Sequence, residues 1–444
     1  MAAVWAEDFQ KREFLLAADK ETVGGSAGPA VLPTTFVNNT GVTPAYFTII
    51  GQNPNDLTDS RWHRVTATGQ LVPVMASDGV KDPNSPALAN CDYNIPFPTT
   101  GAPPFPLPLV RAGRIYVSLG NKLVTQVTIA GNNWVTQDGW SNPADPNYNY
   151  AWDWVEINYV QSVDSGLPGM GVNTTAVQML GLPMTLTLTS NSGTATQTSG
   201  FKANARQLIM QGLTGNPHFS SLVIQGTNSN VTPLRAISAD NGVRNLINKT
   251  PNVPTFDPSL YSSYIDAVWQ KYSTATLTVM TSAFGTYAGK VNATNQLVFR
   301  QTDSTRPNQK SITVNHPAPT DVIIGNGALI GDCPGPPPNP ITDDYLACGE
   351  VGSILSAAFN RSTLLVQDTL LRNPPCPLPY LGQFYQNPPV NVYASLIHAH
   401  ALPNPPFAPL GGTYAFGFDD NCNQSSLISD LQNPSAMSIT VDPF

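Results

Sequence analysis

The chain has 444 residues, of which 11% are charged, and its formal net charge is −8. A chain of this length can bury a large core and form two or three domains. Its acidic balance and its few basic runs argue against nucleic acid as a partner, because phosphates are bound by clustered Lys and Arg. No apolar stretch approaches the roughly 20 residues of a membrane helix, which argues against a membrane partner as well.

The N-terminal segment is the most charge-dense part of the chain, and its apolar side chains repeat at helical spacing. Val4, Trp5, Phe9 and Leu16 lie roughly on one side of the predicted helix. Such a stripe has to be covered if the segment is to stay ordered. We therefore predict that residues 1–28 form an arm that packs on its own β domain or on a second copy of the chain, as in a homo-oligomer.

Between Phe36 and about Thr189 the chain predicts strands separated by Pro and Gly clusters. Asn, Thr, Ser, Gly and Pro replace the missing charged residues, and these residue types favour turns between strands. The strand-like runs are AYFTIIG (45–51), RIYVSLG (114–120), KLVTQVTI (122–129), WDWVEINYV (152–160) and MTLTLTS (184–190). We assign residues 29–200 to the first part of a β domain.

Helical spacing appears in the next part of the chain, at ANARQLIMQGL (203–213) and PSLYSSYIDAVWQKYS (258–273). Two hairpin-like runs follow, TLTVMTS (276–282) and QLVFRQ (296–301). Residues 201–304 therefore predict an inserted α/β domain.

The remainder, residues 305–444, predicts a return to the β domain. A helix is expected at GSILSAAFNRSTLL (352–365). Loops are expected in the two Pro-rich segments, and strands in two runs near the end of the chain. These four are CPGPPPNP (333–340), RNPPCPLPYLGQFYQNPP (372–389), GTYAFGF (412–418) and MSITVDPF (437–444).

Five cysteines occur in the chain, and none is part of a CxxC motif that would indicate a zinc site. They are Cys91, Cys333, Cys348, Cys376 and Cys422. Four lie in the last third of the chain, where disulfides are expected with one thiol left over. The spacing leaves the pairing open.

One strand-like run concentrates the residues that can carry chemistry. Because side chains alternate along a strand, Trp152, Trp154, Glu156 and Asn158 point to one face, while Asp153 points to the other. A carboxyl group beside two indoles suits sugar chemistry, since aromatic rings stack on the apolar faces of sugars and Glu156 can act as a general acid. A glutamate that pairs across strands is the alternative. We expect this face to line an open groove rather than the interior of the barrel.

Eight blocks of sequence carry a resemblance to a known family, and together they span most of residues 110–444. The blocks are GRIYVSLGNKL (113–123), WVEINY (154–159), NTTAVQMLGLPMTL (173–186), YIDAVWQKY (264–272), YAGKV…LVF (287–299), AAFNRSTLL (357–365), FYQNPPVNVYASLIHAH (384–400) and YAFGFDD (414–420). In content and order they resemble glycoside hydrolase family 64, the thaumatin-like β-1,3-glucanases of the laminaripentaose-producing type.

The resemblance implies a mainly β fold, a thaumatin-like sandwich or barrel with an inserted α/β domain. It also implies a wide cleft between the two parts that takes a β-1,3-glucan chain or a related polysaccharide. An extracellular location is implied too. The charged N-terminal segment nevertheless lacks the uninterrupted apolar core of a Sec signal, so the compartment stays open.

The resemblance further implies inverting hydrolysis by two carboxylates, and here the sequence departs from the family. The family's Glu falls on Glu156, but the position of its Asp is occupied by Gln178. Inversion requires a second carboxylate roughly 6.5–9.5 Å from the first to deprotonate a water molecule. An amide has no usable basicity for this step, although it can hydrogen-bond a sugar hydroxyl.

Other carboxylates are candidates for the missing base. Asp164 lies on a connecting loop that is longer than the family's, although an Asp in a Ser/Gly-rich loop is also ordinary turn chemistry. Asp419 and Asp420 follow a predicted strand and resemble a family segment near the cleft. The alternative for both is a capped surface turn.

No metal or cofactor is expected. His398 and His400 are spaced to share one face of a predicted strand, but a third ligand is not evident, which favours a polar strand face. The glycines of GNGALIG (325–331) lack the GK[ST] of a phosphate loop and a Rossmann context.

Three functions are consistent with this sequence. The first is endo-β-1,3-glucan hydrolysis with Glu156 as the acid and a relocated base. The second is glucan recognition without turnover, because Gln178 has replaced the base. The third is a structural or self-assembling protein that reuses the scaffold, with the N-terminal arm as its contact.

Overall fold

The computed structural model describes residues 31–444, apart from several short internal segments. Those segments are 57, 136–138, 162–166, 191–195, 228–230, 304–310, 331–341, 373–375, 404–411, 425–426 and 431–433. The predicted N-terminal arm, Asp164 and the Pro-rich segment 333–340 lie outside the described residues.

Strands dominate the chain, as its composition predicts. They are β1 (Val31–Asn38), β2 (Ala45–Gln52), β3 (Trp62–Val65), β4 (Leu71–Pro73), β5 (Gly79–Lys81), β6 (Leu88–Cys91), β7 (Ile95–Pro96), β8 (Phe105–Pro108), β9 (Val110–Leu119), β10 (Thr125–Thr128), β11 (Ala151–Gln161), β12 (Pro168–Thr174), β13 (Met179–Leu180), β14 (Met184–Ser190), β15 (Gln197–Gly200), β16 (Val223–Ile224), β17 (Arg235–Ile237), β18 (Leu277–Met280), β19 (Thr286–Val291), β20 (Gln296–Gln301), β21 (Ile312–Asn315), β22 (Thr369–Leu371), β23 (Ile428–Asp430) and β24 (Pro434–Val441).

In the part of the chain that the structure describes, the α-helices begin at Ala205. They are α1 (Ala205–Thr214), α2 (Ala239–Asn248), α3 (Ser262–Thr274), α4 (Pro319–Ile324), α5 (Asp343–Asn360), α6 (Leu378–Leu381) and α7 (Val392–His400). Short 3-10 turns lie at Ala76–Asp78, Ser220–Leu222, Pro258–Tyr261, Gly327–Ile330 and Asn421–Asn423.

Two large sheets pack face to face and form the β-sandwich. One has the strand order β15-β14-β24-β1-β8, and the other has the order β23-β12-β11-β9-β2-β3-β4, with β7 also paired to β2. Phe36 on β1 stacks on Phe47 on β2 with ring centroids 3.8 Å apart, and Phe105 on β8 meets Phe47 edge-on at 5.0 Å. These aromatic contacts join the two sheets across an apolar core. The expected mainly β fold is confirmed.

Strand register decides which side of the second sheet faces this core. Phe47 pairs with Val117, which pairs with Asp153, so these three side chains share the face that carries the Phe47 contact. Arg114 pairs with Glu156 and therefore lies on the opposite face. We call this opposite side the outer face of the large sheet.

The α/β part of the chain contains two further sheets, with strand orders β13-β17-β16 and β21-β20-β19-β18-β22. Helix α3 packs against β19, and α5 packs against β22. The second of these sheets takes strands from 277–301 and also from 312–315 and 369–371. The domain boundaries drawn from the sequence stay a prediction.

Most of the predicted strands and helices are found, with shifted ends. The helix expected at 352–365 begins nine residues earlier, because Thr342 Oγ1 accepts a hydrogen bond from the Tyr345 N–H and caps the first turn. It ends at Asn360, and Ser362 adopts a left-handed backbone with φ of 56°. Such a backbone cannot continue a right-handed helix.

Two expectations for the last part of the chain are wrong. The run GTYAFGF forms no strand apart from an isolated bridge between Thr175 and Tyr414, and turns follow that bridge. The segment with His398 and His400 is helix α7, which begins where the Asn391 side chain accepts a hydrogen bond from the Ala394 N–H. On a helix, residues two apart do not share a face, so the two imidazoles diverge.

The cysteines fall into the expected pattern of late-chain disulfides with one thiol left over. Cys376 and Cys422 form a disulfide, and Cys348 is also disulfide-bonded. Cys91 is the free thiol, and it is buried. Within the described part of the chain, no helix is long and apolar enough to cross a bilayer.

Candidate active site

Glu156 lies in the middle of a row of three polar side chains on the outer face of the large sheet. Its cross-strand partners are Arg114 on β9 and Asn173 on β12. The Arg114 guanidinium lies 3.5 Å from Glu156 Oε1, and 30% of the Glu156 side chain is exposed. The carboxylate is therefore held by a neighbouring cation and can still be reached from solvent.

The two tryptophans of the same face do not form an exposed platform. Trp152 and Trp154 are fully buried, with exposures of 0% and 1%. Trp140 lies against both rings, with centroids 6.4 and 5.6 Å away, and the Arg114 guanidinium lies 5.4 Å from the centre of the Trp154 ring. The expected open groove is thus not lined by these two indoles, because other side chains cover them, whereas Glu156 is partly exposed.

Two asparagines flank Glu156, and they differ in their contacts. Asn158 Oδ1 accepts a hydrogen bond of 3.2 Å from the backbone N–H of Ala112, where the pairing of β9 with β11 shifts register and Ala112 has φ of 45°. Asn158 therefore stabilises an irregular part of the sheet. Asn173 is buried, and its Oδ1 has no hydrogen-bond partner within the described residues.

Gln178 lies between β12 and β13 on a backbone that is held firmly. Its carbonyl oxygen accepts hydrogen bonds from the Ser238 N–H at 3.0 Å and from Asn241 Nδ2 at 2.8 Å. The side chain is partly exposed. Ser238 and Asn241 belong to the start of α2, so the α/β part positions the Gln178 backbone.

Asp153 connects β11, the strand that carries Glu156, to the turn at Gly181 and Leu182. Its Oδ2 accepts hydrogen bonds from the N–H groups of Gly181 at 2.7 Å and Leu182 at 3.0 Å, and its Oδ1 accepts one from Trp154 at 2.8 Å. Burial raises the pKa of Asp153 to about 7, although the three N–H donors act in the opposite direction.

A second contact fixes the same turn from its other side. Arg206 Nε donates a hydrogen bond of 2.7 Å to the Gly181 carbonyl oxygen. Residue 181 has to be glycine, because a Cβ on Gly181 would collide with the carbonyl oxygen of Trp152. The close approach of these backbones sets where residue 178 lies relative to Glu156.

Asp419 and Asp420 are poor candidates for a solvent-exposed base. Asp419 is fully buried and binds Arg361 at 2.9 Å and His398 Nε2 at 2.8 Å. Asp420 forms an ion pair with Arg372. Asp419 therefore does not lie in a capped surface turn, which was the alternative drawn from the sequence. Its buried carboxylate links His398 on α7 to Arg361, the residue that follows α5.

Metal binding has no support in the described residues, where no three His, Cys, Asp or Glu side chains gather. The His398 side chain is hydrogen-bonded to Asp419, and His400 lies on a different face of the same helix. Among the residues that the structure describes on this face, Glu156 is a carboxylate that solvent can reach.

Arg114, Asn173 and Trp140 are the residues that sequence reasoning missed. Arg114 and Asn173 are brought opposite Glu156 by strand pairing, and Trp140 packs on the neighbouring indoles of Trp152 and Trp154. Arg114 does lie in a recognisable strand, but the sequence does not reveal the register that places it opposite Glu156.

Comparison with known proteins identifies the family. The model of glycoside hydrolase family 64, described as β-1,3-glucanase, matches residues 30–441. A glucan endo-1,3-β-glucosidase of Cellulosimicrobium cellulans is 27% identical over 431 residues, covering 94% of this chain. One from Arthrobacter sp. (strain YCWD3) is 26% identical over the same length. The chain spans 66% of the length of each of these two relatives.

Solved structures agree with this assignment. A laminaripentaose-producing β-1,3-glucanase in complex with laminaritetraose has a TM-score of 0.71 and 28% identity, covering 94% of this chain and 99% of that one. A β-1,3-glucanase domain from Clostridium beijerinckii has a TM-score of 0.69 over 95% of this chain and 100% of that one; at 23% identity it supports the fold alone. Because the family model covers nearly all of the sequence, the chain belongs to glycoside hydrolase family 64, the β-1,3-glucanase family.

Proposed function

We propose that this protein binds β-1,3-glucan at the outer face of the large sheet, with Glu156 as the proton donor to the leaving oxygen. The observation that carries the proposal is the partly exposed Glu156 carboxylate, which lies 3.5 Å from the Arg114 guanidinium beside the buried indoles of Trp152 and Trp154. Family membership supports the substrate class, since the similar proteins are named as glucan endo-1,3-β-glucosidases.

We further propose that hydrolysis is very slow, because Gln178 stands at the position of the second carboxylate. Protonation of the leaving group by Glu156 leaves the attacking water without a base. Assistance by a general base is typically worth about 10²–10⁴-fold in rate. Glucan binding does not need this base, and a Gln amide can still hydrogen-bond a sugar hydroxyl.

Two assays on the full chain test the proposal. A reducing-sugar assay on laminarin measures turnover, and sedimentation with insoluble β-1,3-glucan measures binding. We expect binding with little or no turnover. If the protein does not sediment with the glucan, the alternative of a structural protein that reuses the scaffold is favoured instead.

Rapid hydrolysis by the wild-type protein would contradict the slow-turnover proposal and require a relocated base. Asp164 is the first residue to test, because in the sequence it lies between the strands β11 and β12. Loss of that activity in Asp164→Asn would assign the base to Asp164. Retention of activity would exclude it.

A further inference from the structure

The α/β part contains a cavity of about 400 Å³ between helix α3 and the β19–β20 hairpin. Ligand sites in proteins usually enclose roughly 300–1,000 Å³. None of its lining residues comes from the sheet that carries Glu156. The side chains that matter for binding are Asp266, Trp269, Gln270, Asn292, Asn295 and His316.

The floor of this cavity is held by contacts within the protein. Trp269 Nε1 donates a hydrogen bond of 3.2 Å to the Asn295 carbonyl oxygen, which ties the helix to the hairpin. His316 meets the indole edge-on, with ring centroids 5.0 Å apart. Asn292 Oδ1 accepts hydrogen bonds from the N–H groups of Thr294 and Gln296, both at 3.0 Å, and fixes the turn. The site is thus organised before any ligand binds.

The lining favours a neutral ligand. It contains no Lys or Arg, and its single carboxylate, that of Asp266, has an oxygen 3.1 Å from His316 Nε2. An anionic ligand would find no unpaired cation among the lining residues. The indole contributes little apolar surface, because Trp269 is only 4% exposed.

Carboxamides supply the remaining polar groups. The side chains of Gln270 and Asn295 are exposed, and neither makes a hydrogen bond to any residue that the structure describes. A carboxamide both donates and accepts hydrogen bonds, and so does each hydroxyl of a sugar. Two free amides beside a carboxylate match a neutral polyhydroxylated ligand better than a purely apolar one.

We propose that this cavity is a second saccharide-binding site, separate from the Glu156 face, for a neutral oligosaccharide of glucose units. It would give the protein an additional contact on a polysaccharide chain without taking part in hydrolysis. Because the indole is almost fully buried and offers little stacking surface, we expect weak binding, with a dissociation constant on the order of millimolar.

Fluorine NMR of the full chain labelled with 5-fluorotryptophan tests this site with laminaritetraose as the probe. The Trp269 resonance is identified by its loss in Trp269→Phe. We expect it to shift on titration and to saturate. The double variant Gln270→Ala/His316→Ala should weaken that response at least tenfold. The control is Ser263→Ala, an exposed position on α3 outside the lining, which should respond like the wild type.

The same spectra separate this inference from the proposed function, because the Trp154 resonance reports on the Glu156 face. A Trp269 resonance that does not move while Trp154 responds would overturn the second site and leave the proposed function standing. A shift of the Trp269 resonance without a shift of the Trp154 resonance would support the second site and overturn glucan binding at the Glu156 face. An equal loss of response in Ser263→Ala would also overturn the assignment of the cavity.

Discussion

The proposed lack of a general base rests on one residue, Gln178, whose side chain is an amide. The Gln178 backbone is fixed by hydrogen bonds from Ser238 and Asn241, so replacing its side chain leaves the position of the main chain unchanged. Position 178 is followed by a turn that Asp153 and Arg206 hold against the Glu156 strand. A carboxylate introduced here would therefore be placed by the existing fold.

We predict that Gln178→Asp raises the turnover of laminarin, by up to about 10²–10⁴-fold, because it supplies a general base for the attacking water. Adding Glu156→Gln to that variant should abolish the gain. The measurement is the release of reducing ends at a fixed glucan concentration.

The matched control is Gln178→Asn, which has the size of Asp without its basicity. It should remain as slow as the wild type. A similar gain in Gln178→Asn and Gln178→Asp would mean that space, and not a base, limits the reaction.

Asp153 is a second residue whose protonation state has a measurable consequence. Burial raises its pKa from an ordinary 3.8 to about 7 in the folded protein. A folded-state pKa above the unfolded one means that the stabilising contribution of this group is complete below the unfolded pKa. The contribution is then lost as the pH rises through about 7.

We therefore predict that the free energy of unfolding falls between about pH 4 and pH 7, with up to ~4 kcal/mol of the fall due to Asp153. In Asp153→Asn this part of the dependence should vanish, because the amide does not titrate. Urea unfolding at several pH values measures both profiles. Parallel profiles for the two proteins would show that Asp153 is not the responsible group.

At the scale of elements, the last part of the chain depends on a covalent link. The disulfide between Cys376 and Cys422 closes a loop over a sequence separation of 46 residues. It joins the segment before α6 to the turn that follows Asp420. The nearby Asp419 carboxylate binds Arg361 and His398 at the ends of α5 and α7.

We predict that Cys376→Ala/Cys422→Ala lowers the free energy of unfolding by roughly 2–4 kcal/mol, because the unfolded chain regains the freedom that the cross-link removes. Urea denaturation under non-reducing conditions measures the loss. Cys91→Ala is the control, since it removes a buried sulfur without removing a cross-link. An equal loss in both proteins would assign the effect to packing and not to the disulfide.

At the scale of the whole molecule, the two ends of the described chain meet in one sheet. Strand β24 lies in the centre of the five-stranded sheet, parallel to β1 and antiparallel to β14. Ile439 on β24 is fully buried and pairs with Phe36 on one side and Leu186 on the other. Closing the sandwich therefore requires contacts between residues about as far apart in sequence as the described chain allows.

We predict that Ile439→Ala destabilises the protein by about 2–5 kcal/mol, since it opens a cavity in the central strand. The neighbouring Ser438→Ala, at a partly exposed position on the other face, should change stability little. Circular dichroism and tryptophan fluorescence during urea unfolding measure both. A loss confined to one probe would indicate that the β24 region unfolds separately from the rest.

Much of the fold could be predicted from local patterns, because strand alternation and helical spacing are properties of short segments. The strands around residues 45–51, 152–160 and 184–190 and the helices around 203–213 and 258–273 are found close to their predicted places. The α7 helix was predicted as a strand because its apolar residues fit both periods. The Asn391 cap that decides between them is a single side-chain contact.

The candidate site also has a part that local patterns predict and a part that only the tertiary structure decides. Alternation within one strand was enough to put Glu156 on the same face as Trp152 and Trp154, and the block pattern was enough to indicate the family. The alternation could not show that Trp140 covers the indoles or that Arg114 and Asn173 lie opposite Glu156. Those contacts depend on the register between strands and on the packing of distant segments, and both are set by the free energy of the whole fold.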